Sequence, residues 1–315
     1  MDFKNFKKLS GDASFRKFYR NKKNKSIIVY CQKDKFKNLI VYDAINKLLS
    51  KYGINTPKLI TENYKHNYIE ISDLGSISAL HKNKKFKLDN YSKLFDILIK
   101  LRSIKKKKIR TFYKSYYKIP SYSDNLLMNE SKLFSDWYLP SVIKKKPKLI
   151  AKKLNLIMKK LIGTLKLKKK ILVHRDFHIS NIMYFNNLFF LLDSQDAVYG
   201  NQAYDLASLI DDVRNKISLN NREKLYKKFI LKLKKINKSE FRNDFEILSV
   251  LRNMKIIGIF TRLSKRDKKN SYLKMIPYAW QMIKERRGSN PNFKELNIFI
   301  DKYFSKEIMK KKNEN

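Results

Sequence analysis

Asp176, Asn181 and Asp193 are the side chains of this sequence whose types and spacing could do chemistry. Asp176 closes the tripeptide His174-Arg175-Asp176, Asn181 follows five positions later, and Asp193 ends an apolar run that begins at Ile182. Asn186-Asn187 divides that run into residues 182–185 and 188–192. Asn tolerates positive φ, so the pair predicts a tight hairpin turn. If Phe185 pairs with Leu188, antiparallel counting sets Ile182 opposite Leu191 and Asn181 opposite Leu192. Asp193 then returns beside Ser180 and Asn181, at the mouth of the loop that holds Asp176. Two carboxylates and a carboxamide in one cleft form a hard-oxygen site suited to Mg²⁺, which takes few protein ligands and completes its shell with phosphate oxygens. The chemistry implied is phosphoryl transfer. Asp176 would orient an attacking hydroxyl and accept its proton, while Asn181 and Asp193 hold metal at a triphosphate. A lone His-Arg-Asp is weak evidence, and a polar loop with two caps and a turn would account for it. The added Asn and the hairpin ending in Asp make the pattern specific.

Elements on both sides must hold this loop in place. Residues 171–173 read as a short buried strand that feeds it. Residues 1–75 read as strand-rich, with a hairpin of 15–20 and 26–30 around the polar turn 21–25. A helix is expected over 36–52, where Phe36, Leu39, Ile40, Ile45, Leu48 and Leu49 recur at helical spacing. Gly53 falls where a left-handed cap belongs, and Pro57 prevents the helix resuming. Strands near 58–61 and 67–71 lead into Ser72-Asp73-Leu74-Gly75, a natural linker. The expected domains are therefore 1–75, with a hinge near 71–75, and 76–315. Beyond the linker the chain reads as mostly helical over 77–170 and 205–310, with a strand-rich island at 171–193. Residues 310–315 are expected to fray.

Composition bounds the partners. The chain has 315 residues, 43% of them apolar, and a net charge of +44 from 59 Lys and 13 Arg against 28 Asp and Glu. A nucleic-acid or anionic-membrane surface would gather such charge in one stripe, enrich Arg and interleave aromatics. Here the lysines are spread over the whole chain, which fits a solvated surface, and runs such as Lys105–108 and Lys144–146 read as loops or helix ends. Specific nucleic-acid binding is not expected. The single Cys31 rules out an internal disulfide, reads as a small core residue and fits a reducing compartment. No apolar leader and no window of about 18 uncharged apolar residues is present, so neither a signal peptide nor a membrane helix is expected. The expected location is cytoplasmic, with no membrane partner.

The sequence resembles the aminoglycoside phosphotransferase and choline kinase-like superfamily, relatives of the protein kinases. Within it, the chain is most similar to bacterial cell-wall sugar kinases that phosphorylate the anomeric hydroxyl of N-acetylmuramate and N-acetylglucosamine. The similarity spans nearly the whole chain. It includes Gly11-Asp12-Ala13-Ser14-Phe15-Arg16, Ser72-Asp73-Leu74-Gly75, Phe134-Ser135-Asp136-Trp137-Tyr138, and the island from His174 to Asp193. It continues with Gln195-Asp196-Ala197-Val198-Tyr199-Gly200, Tyr204-Asp205-Leu206-Ala207 and Gly258-Ile259-Phe260-Thr261-Arg262. The resemblance implies a two-lobed, protein-kinase-like α+β fold with a small antiparallel-sheet N-lobe and a larger, mainly helical C-lobe. It implies ATP as co-substrate, Mg²⁺ as cofactor and a small sugar as acceptor. It makes Asp176 the base and Asn181 and Asp193 the magnesium ligands. Gly11, Asp12, Ala13 and Ser14 become the loop over the phosphates, and the backbone of Ile71, Ser72 and Asp73 the hinge that holds adenine. Two departures stand out. The strand after the phosphate loop, Ile27-Ile28-Val29-Tyr30-Cys31, carries no lysine, which leaves Arg16, Lys17 and Lys33 as candidates to supply charge to the phosphates. Asp193-Ser194-Gln195 replaces the kinase-like Asp-Phe-Gly and keeps the metal-binding Asp.

Other residues are read against plainer roles. His174 is expected to be a structural tie and His178 a substrate-side contact. Asp205 is expected to cap the helix after it, and Asp211 and Asp212 to be solvated helix residues. Gln195 is placed to meet an acceptor, and Trp137 with Asp136 and Glu130 to wall a sugar, although core packing suits Trp137 equally. Lys255, Arg262 and Arg266 are candidates for a lactyl carboxylate. The alternatives are a kinase of another small alcohol, such as an aminoglycoside, choline or homoserine, and a basic nucleic-acid-associated scaffold with an inactive kinase fold. Aminoglycosides are polycations and find little acidity here. The intact Asp176, Asn181 and Asp193 argue against the scaffold.

Overall fold

Alternating burial along Tyr68–Ser72, and the buried Ser26, Ile28 and Val29 of the strand beside it, show why the N-terminal strands form a sheet packed on a core. The computed structural model describes residues 6–9, 15–21, 23–75, 90–288 and 290–310. It divides into two compact units, residues 1–121 with 171–199, and residues 122–170 with 200–315. The island after residue 170 thus groups with the N-terminal residues, and the first unit continues well past the linker at 72–75.

In the first unit, β1 (Phe6–Leu9), β2 (Lys17–Asn21), β3 (Ser26–Tyr30), β4 (Leu59–Asn63) and β5 (Tyr68–Ser72) form an antiparallel sheet in the order β1-β2-β3-β5-β4. The β2–β3 hairpin pairs Asn21 with Ser26, around the turn expected there. Strand β1 escaped the sequence reading, since four residues with two lysines carry little pattern. Val29, Cys31, Ile69 and Ile71 pack with Leu39 and Tyr42 into one core, and Cys31 is the small buried residue expected. The helix after β3 begins as π-helix over Phe36–Val41 and continues as α1 (Tyr42–Lys51). It stops where Gly53 takes φ +69°, a value that favours glycine, and Gly53 N bonds back to Ser50 O.

Helix α2 (Asn90–Ser103) is followed by a hairpin of β6 (Lys108–Arg110) and β7 (Tyr116–Lys118), strands that the expectation of a mostly helical 77–170 did not include. Only Ile109 and Tyr117 of the paired residues turn away from solvent, so no apolar alternation announced the strands. The island follows as β8 (Lys170–Val173), β9 (Ile182–Phe185), β10 (Leu188–Leu191) and β11 (Val198–Asn201), with β8 paired to β11 and β9 to β10.

The second unit is helical: α3 (Asp124–Ser131), α4 (Leu139–Val142), α5 (Pro147–Gly163), α6 (Tyr204–Ile210), α7 (Leu219–Leu231), α8 (Lys238–Asp267), α9 (Ile276–Arg286), α10 (Lys294–Tyr303) and α11 (Lys306–Lys310). Ser123, Ser218 and Asn237 cap α3, α7 and α8 by accepting from backbone N–H groups three residues on. Asp205 does not cap α6. The helix starts at Tyr204, Asp205 lies buried in its first turn, and Asn201 Oδ1 accepts from Ala203 N instead. Helix α8 is the axle of the unit, with 30 residues and buried side chains on every face. At Gly258 it crosses the Phe134–Tyr138 segment so closely that a Cβ would stand 2.2 Å from the Leu133 carbonyl carbon.

Asp211 and Asp212 are buried rather than solvated. Asp211 meets Arg222 at 2.9 Å, Arg286 at 2.8 Å and Ser249 at 2.5 Å. Burial pushes its carboxyl up, but the two guanidiniums and the Ser249 hydroxyl outweigh that and hold it at about 2. Among the described residues, no helix is long and apolar enough to cross a membrane.

Candidate active site

Strand β8 is buried from Ile171 to Val173 and delivers His174 into the core, where the chain turns through Arg175 at φ +73°. The loop then ties itself together. The Asp176 carbonyl accepts from His178 N at 2.9 Å and from Asn181 Nδ2 at 3.1 Å, and Asn181 N donates to His178 O at 2.9 Å. Asn181 therefore spends its amide nitrogen on the loop and keeps Oδ1, the end a cation needs, out of that bond.

The hairpin has the register that its two-residue turn requires. Phe185 faces Leu188 and Ile182 faces Leu191, with Asn186 and Asn187 both at positive φ. The ladder runs one residue further, because Leu192 N donates to Asn181 O at 2.9 Å. His174 Nε2 donates to the Leu192 carbonyl at 2.7 Å, the structural tie expected of it. Leu192 is thus gripped at its N–H and at its C=O. Asp193 follows at φ +58°, a left-handed conformation that costs a non-glycine residue about 1–3 kcal/mol and persists only where its surroundings impose it.

Arg16 sits at the same point. Its Nη2 lies 2.9 Å from Asp193 Oδ1, and its Nη1 donates to Gln195 Oε1 at 2.9 Å. The guanidinium is buried and stacks 5.5 Å from the ring centres of both Phe18 and Tyr42. Burial pushes the Tyr42 phenol up to about 12, with Arg16 and Asp193 acting on it in opposite directions. Of the three cations weighed for the missing strand lysine, Lys17 is exposed on β2 and Lys33 packs over Phe15; Arg16 is the one beside Asp193.

Gln195 is buried, with Oε1 taken by Arg16 and Nε2 donating to Asp196 Oδ2 at 3.0 Å. Asp196 is ion-paired with Lys37 and, at 3.6 Å, with Arg175. His178 is buried, its Nε2 3.4 Å from Asn181 Nδ2. Sequence reasoning missed Ser194 and Asn46. Ser194 Oγ donates to Asn46 Oδ1 at 2.5 Å, and Asn46 is further held by Pro57 O and Thr56, so α1 is fastened to the turn after Asp193. The available signal was an asparagine on the buried face of a helix, beside Tyr42, Ile45 and Leu49.

At the end of β5, Ile71 is buried, and Ser72 exchanges hydrogen bonds with the backbone of Lys58. Arg20 clamps Asp73 through its Nε at 2.6 Å. Gly11, Asp12, Ala13 and Ser14 lie outside the described residues. In the second unit, Asp136 is exposed on a cavity of about 680 Å³, and Trp137 is half-buried. Lys255 pairs with Glu130 at 2.8 Å, so these two satisfy each other. Arg262 is half-buried, its Nε has no hydrogen-bond partner, and burial followed by Arg266 pulls its pKa down.

Among the described residues no group of three or more His, Cys, Asp or Glu could hold a metal alone. Asn181 and Asp193, whose side chain is 38% exposed, offer oxygen donors of the kind that suit an ion drawing its remaining ligands from phosphate and water.

The profile of the phosphotransferase enzyme family matches residues 5–230. The chain belongs to this family. This phosphotransferase acts on a hydroxyl acceptor, and its fold is the two-lobed kinase-like α+β fold. It is 27% identical over 303 residues to an N-acetylmuramate/N-acetylglucosamine kinase of Pseudomonas putida, covering 92% of this chain and 86% of that one. It is 25% identical over 301 residues to the protein of the same name from Pseudomonas aeruginosa, covering 91% and 85%. The phosphotransferase also shares its fold with an amicoumacin kinase solved with AMP-PNP, Ca²⁺ and Ami, at a TM-score of 0.61 and 13% identity over 93% of this chain and 92% of that one.

Proposed function

We propose that the protein is an ATP- and Mg²⁺-dependent cytoplasmic sugar kinase that phosphorylates the anomeric hydroxyl of N-acetylmuramate or N-acetylglucosamine. The phosphoryl-transfer half is carried by the Leu192 N to Asn181 O bond, which brings Asp193 beside Asn181 and the Asp176 loop. The sugar half is supported by relatives of that name that align over most of both chains.

Asp176 takes the proton of the attacking hydroxyl and holds its oxygen in line with the γ-phosphorus. Asn181 and Asp193 hold Mg²⁺, which when bound neutralises triphosphate charge. Arg16 fixes the Asp193 carboxylate and adds a positive charge there, the work that a strand lysine does in other kinases of this superfamily. Gly11, Asp12, Ala13 and Ser14 cover the phosphates, and the Ile71–Asp73 backbone receives adenine. On the acceptor side, His178, Asp136 and Trp137 contribute to recognition and the half-buried Arg262 is the candidate for a carboxylate, whereas Gln195 acts through Arg16 and Asp196, which hold both ends of its amide. An anomeric hydroxyl is more acidic than an ordinary alcohol, which eases the work of a carboxylate base. A basic protein also draws in a neutral or anionic sugar better than a polycation.

The test is NMR of the product formed from ATP and each amino sugar. Phosphorus coupled to the anomeric proton is expected. Phosphate on the 6-hydroxyl, or turnover with aminoglycosides or choline alone, overturns the acceptor and leaves the kinase standing.

A further inference from the structure

A second cavity, of about 550 Å³, lies within the first unit against α1. Its lining is cationic: Lys47 and Lys51 of α1, Lys58 before β4, Lys106 before β6 and Arg110 at the end of β6. Its lone carboxylate, Asp43, is buried and lies 2.8 Å from Lys47 Nζ, which cancels its charge. Lysines are common on this protein, but these surround a concavity whose floor includes the buried Asn46, Thr56 and Pro57. That floor carries hydroxyl and amide groups, with Ser50 Oγ 3.0 Å from Thr56 Oγ1, and Ile109 and Leu59 supply apolar surface.

The shape and chemistry select a ligand. The volume falls within the range of about 300–1,000 Å³ typical of small-molecule sites, too small for a polymer. Several cations lining a partly enclosed surface attract a multiply charged anion and form charge-assisted hydrogen bonds to it. Asn46 and Thr56 are held by their own hydrogen bonds, but the Ser50 hydroxyl oxygen keeps acceptor capacity, and beside the apolar Leu59 and Ile109 it suits the body of a polyol. The cavity also shares a residue with the active site. Asn46 lines it, and Asn46 Oδ1 accepts from Ser194 Oγ immediately after Asp193. A ligand that shifts the α1 turn carrying Asn46 and Lys47 therefore bears on the conformation of Asp193.

We propose that this cavity binds a phosphorylated polyol of hexose size, and that its occupancy alters metal–nucleotide binding through the Asn46–Ser194 hydrogen bond. The coupling rests on the kinase reading of Asp193; the binding does not.

The experiment is calorimetry on the full chain. Glucose 6-phosphate, inorganic phosphate and glucose are each titrated with Mg²⁺·AMP-PNP saturating, so that the triphosphate site is closed to them. Mg²⁺·AMP-PNP is then titrated with and without glucose 6-phosphate. Glucose 6-phosphate is expected to bind more tightly than inorganic phosphate, with glucose not binding. Lys51→Glu with Arg110→Glu should weaken it by about 10-fold or more, and the milder Lys51→Ala with Arg110→Ala by less, since each removed charge takes a charge-assisted contact with it. Saturating glucose 6-phosphate should change the Mg²⁺·AMP-PNP affinity by about 5-fold or more, and Ser194→Ala should erase that change. Binding indifferent to both pairs of substitutions, or no tighter than that of inorganic phosphate, overturns the site. Binding that leaves nucleotide affinity unchanged overturns the coupling. Failure of Mg²⁺·AMP-PNP to bind at all would instead strike the kinase reading.

Discussion

Arg16 Nη2 lies 2.9 Å from Asp193 Oδ1, so the carboxylate assigned to the metal already has a buried guanidinium at its side. The same guanidinium holds Gln195 through its other nitrogen, a fork that one ammonium cannot reproduce. Arg16→Ala is expected to weaken Mg²⁺·ATP binding by about 10-fold or more, on the scale of a lost charge-assisted hydrogen bond. Arg16→Lys should restore part of it, by charge without the fork. Calorimetry of nucleotide binding checks both, and equal loss in the two variants would mean that geometry alone matters.

Asp176 and Asp193 should separate kinetically. Asp176→Asn is expected to keep Mg²⁺·ATP affinity while lowering kcat by about 10²-fold or more, the scale of a lost general base. Asp193→Ala should abolish the Mg²⁺-dependent part of nucleotide binding, and Asn181→Ala should weaken it more mildly, because a neutral ligand contributes less charge. A near-normal kcat in Asp176→Asn removes that residue from the role, and unchanged Mg²⁺·ATP affinity in Asp193→Ala removes the other.

The buried ion cluster of the second unit has a defined acid limit. Asp211 is held at about 2 against an ordinary 3.8, so its folded-state value is depressed. Its contribution is complete above the unfolded value of 3.8 and is lost as pH falls through about 2. Asp211→Asn removes the buried carboxylate that both arginines share, leaving Arg222 with Glu285 and Arg286 with Glu223, and should cost up to about 3–5 kcal/mol at neutral pH. Urea melts of both proteins from neutral pH downward should show a constant gap that begins to close only below about pH 4. A gap that closes between pH 7 and 5 would point to a histidine instead.

Gly258→Ala should reverse the usual sign. In an open helix the exchange stabilises by about 1 kcal/mol. Here the new methyl would stand 2.2 Å from the Leu133 carbonyl carbon and 2.3 Å from its oxygen, so backbone must move. A loss of about 1–3 kcal/mol is expected, as for other overpacked sites, read from chemical denaturation. A Gly258→Ala variant more stable than the parent would mean that the two segments separate freely.

The Ile182–Leu191 hairpin was legible because every determinant is local. Asn186-Asn187 admits few turns, and the turn dictates the pairs from Phe185–Leu188 outward. Gly53 and Pro57 bounded the first helix for the same reason. What stayed hidden depends on partners far along the chain. Asp211 resembles a solvated aspartate until Arg222 and Arg286 arrive, the latter 75 residues away. Asn46 acquires its meaning only from Ser194, 148 residues on. The β6–β7 hairpin turns only Ile109 and Tyr117 away from solvent, too few for any periodicity to show. Likewise the choice of Arg16 over Lys17 or Lys33 depended on which side chain the sheet turns inward.

The Asn186-Asn187 turn carries an evolutionary consequence. Surface turns are ordinarily where a chain gains and loses residues at little cost. This one is a ruler: it measures how much backbone separates Asn181 from Asp193. A single inserted or deleted codon would exchange the faces of a strand and bring Leu192 or Ser194 to the place of the acid. Length here should drift far less than side-chain identity, so an exposed loop, free to vary in chemistry, is frozen in span by a carboxylate six residues away.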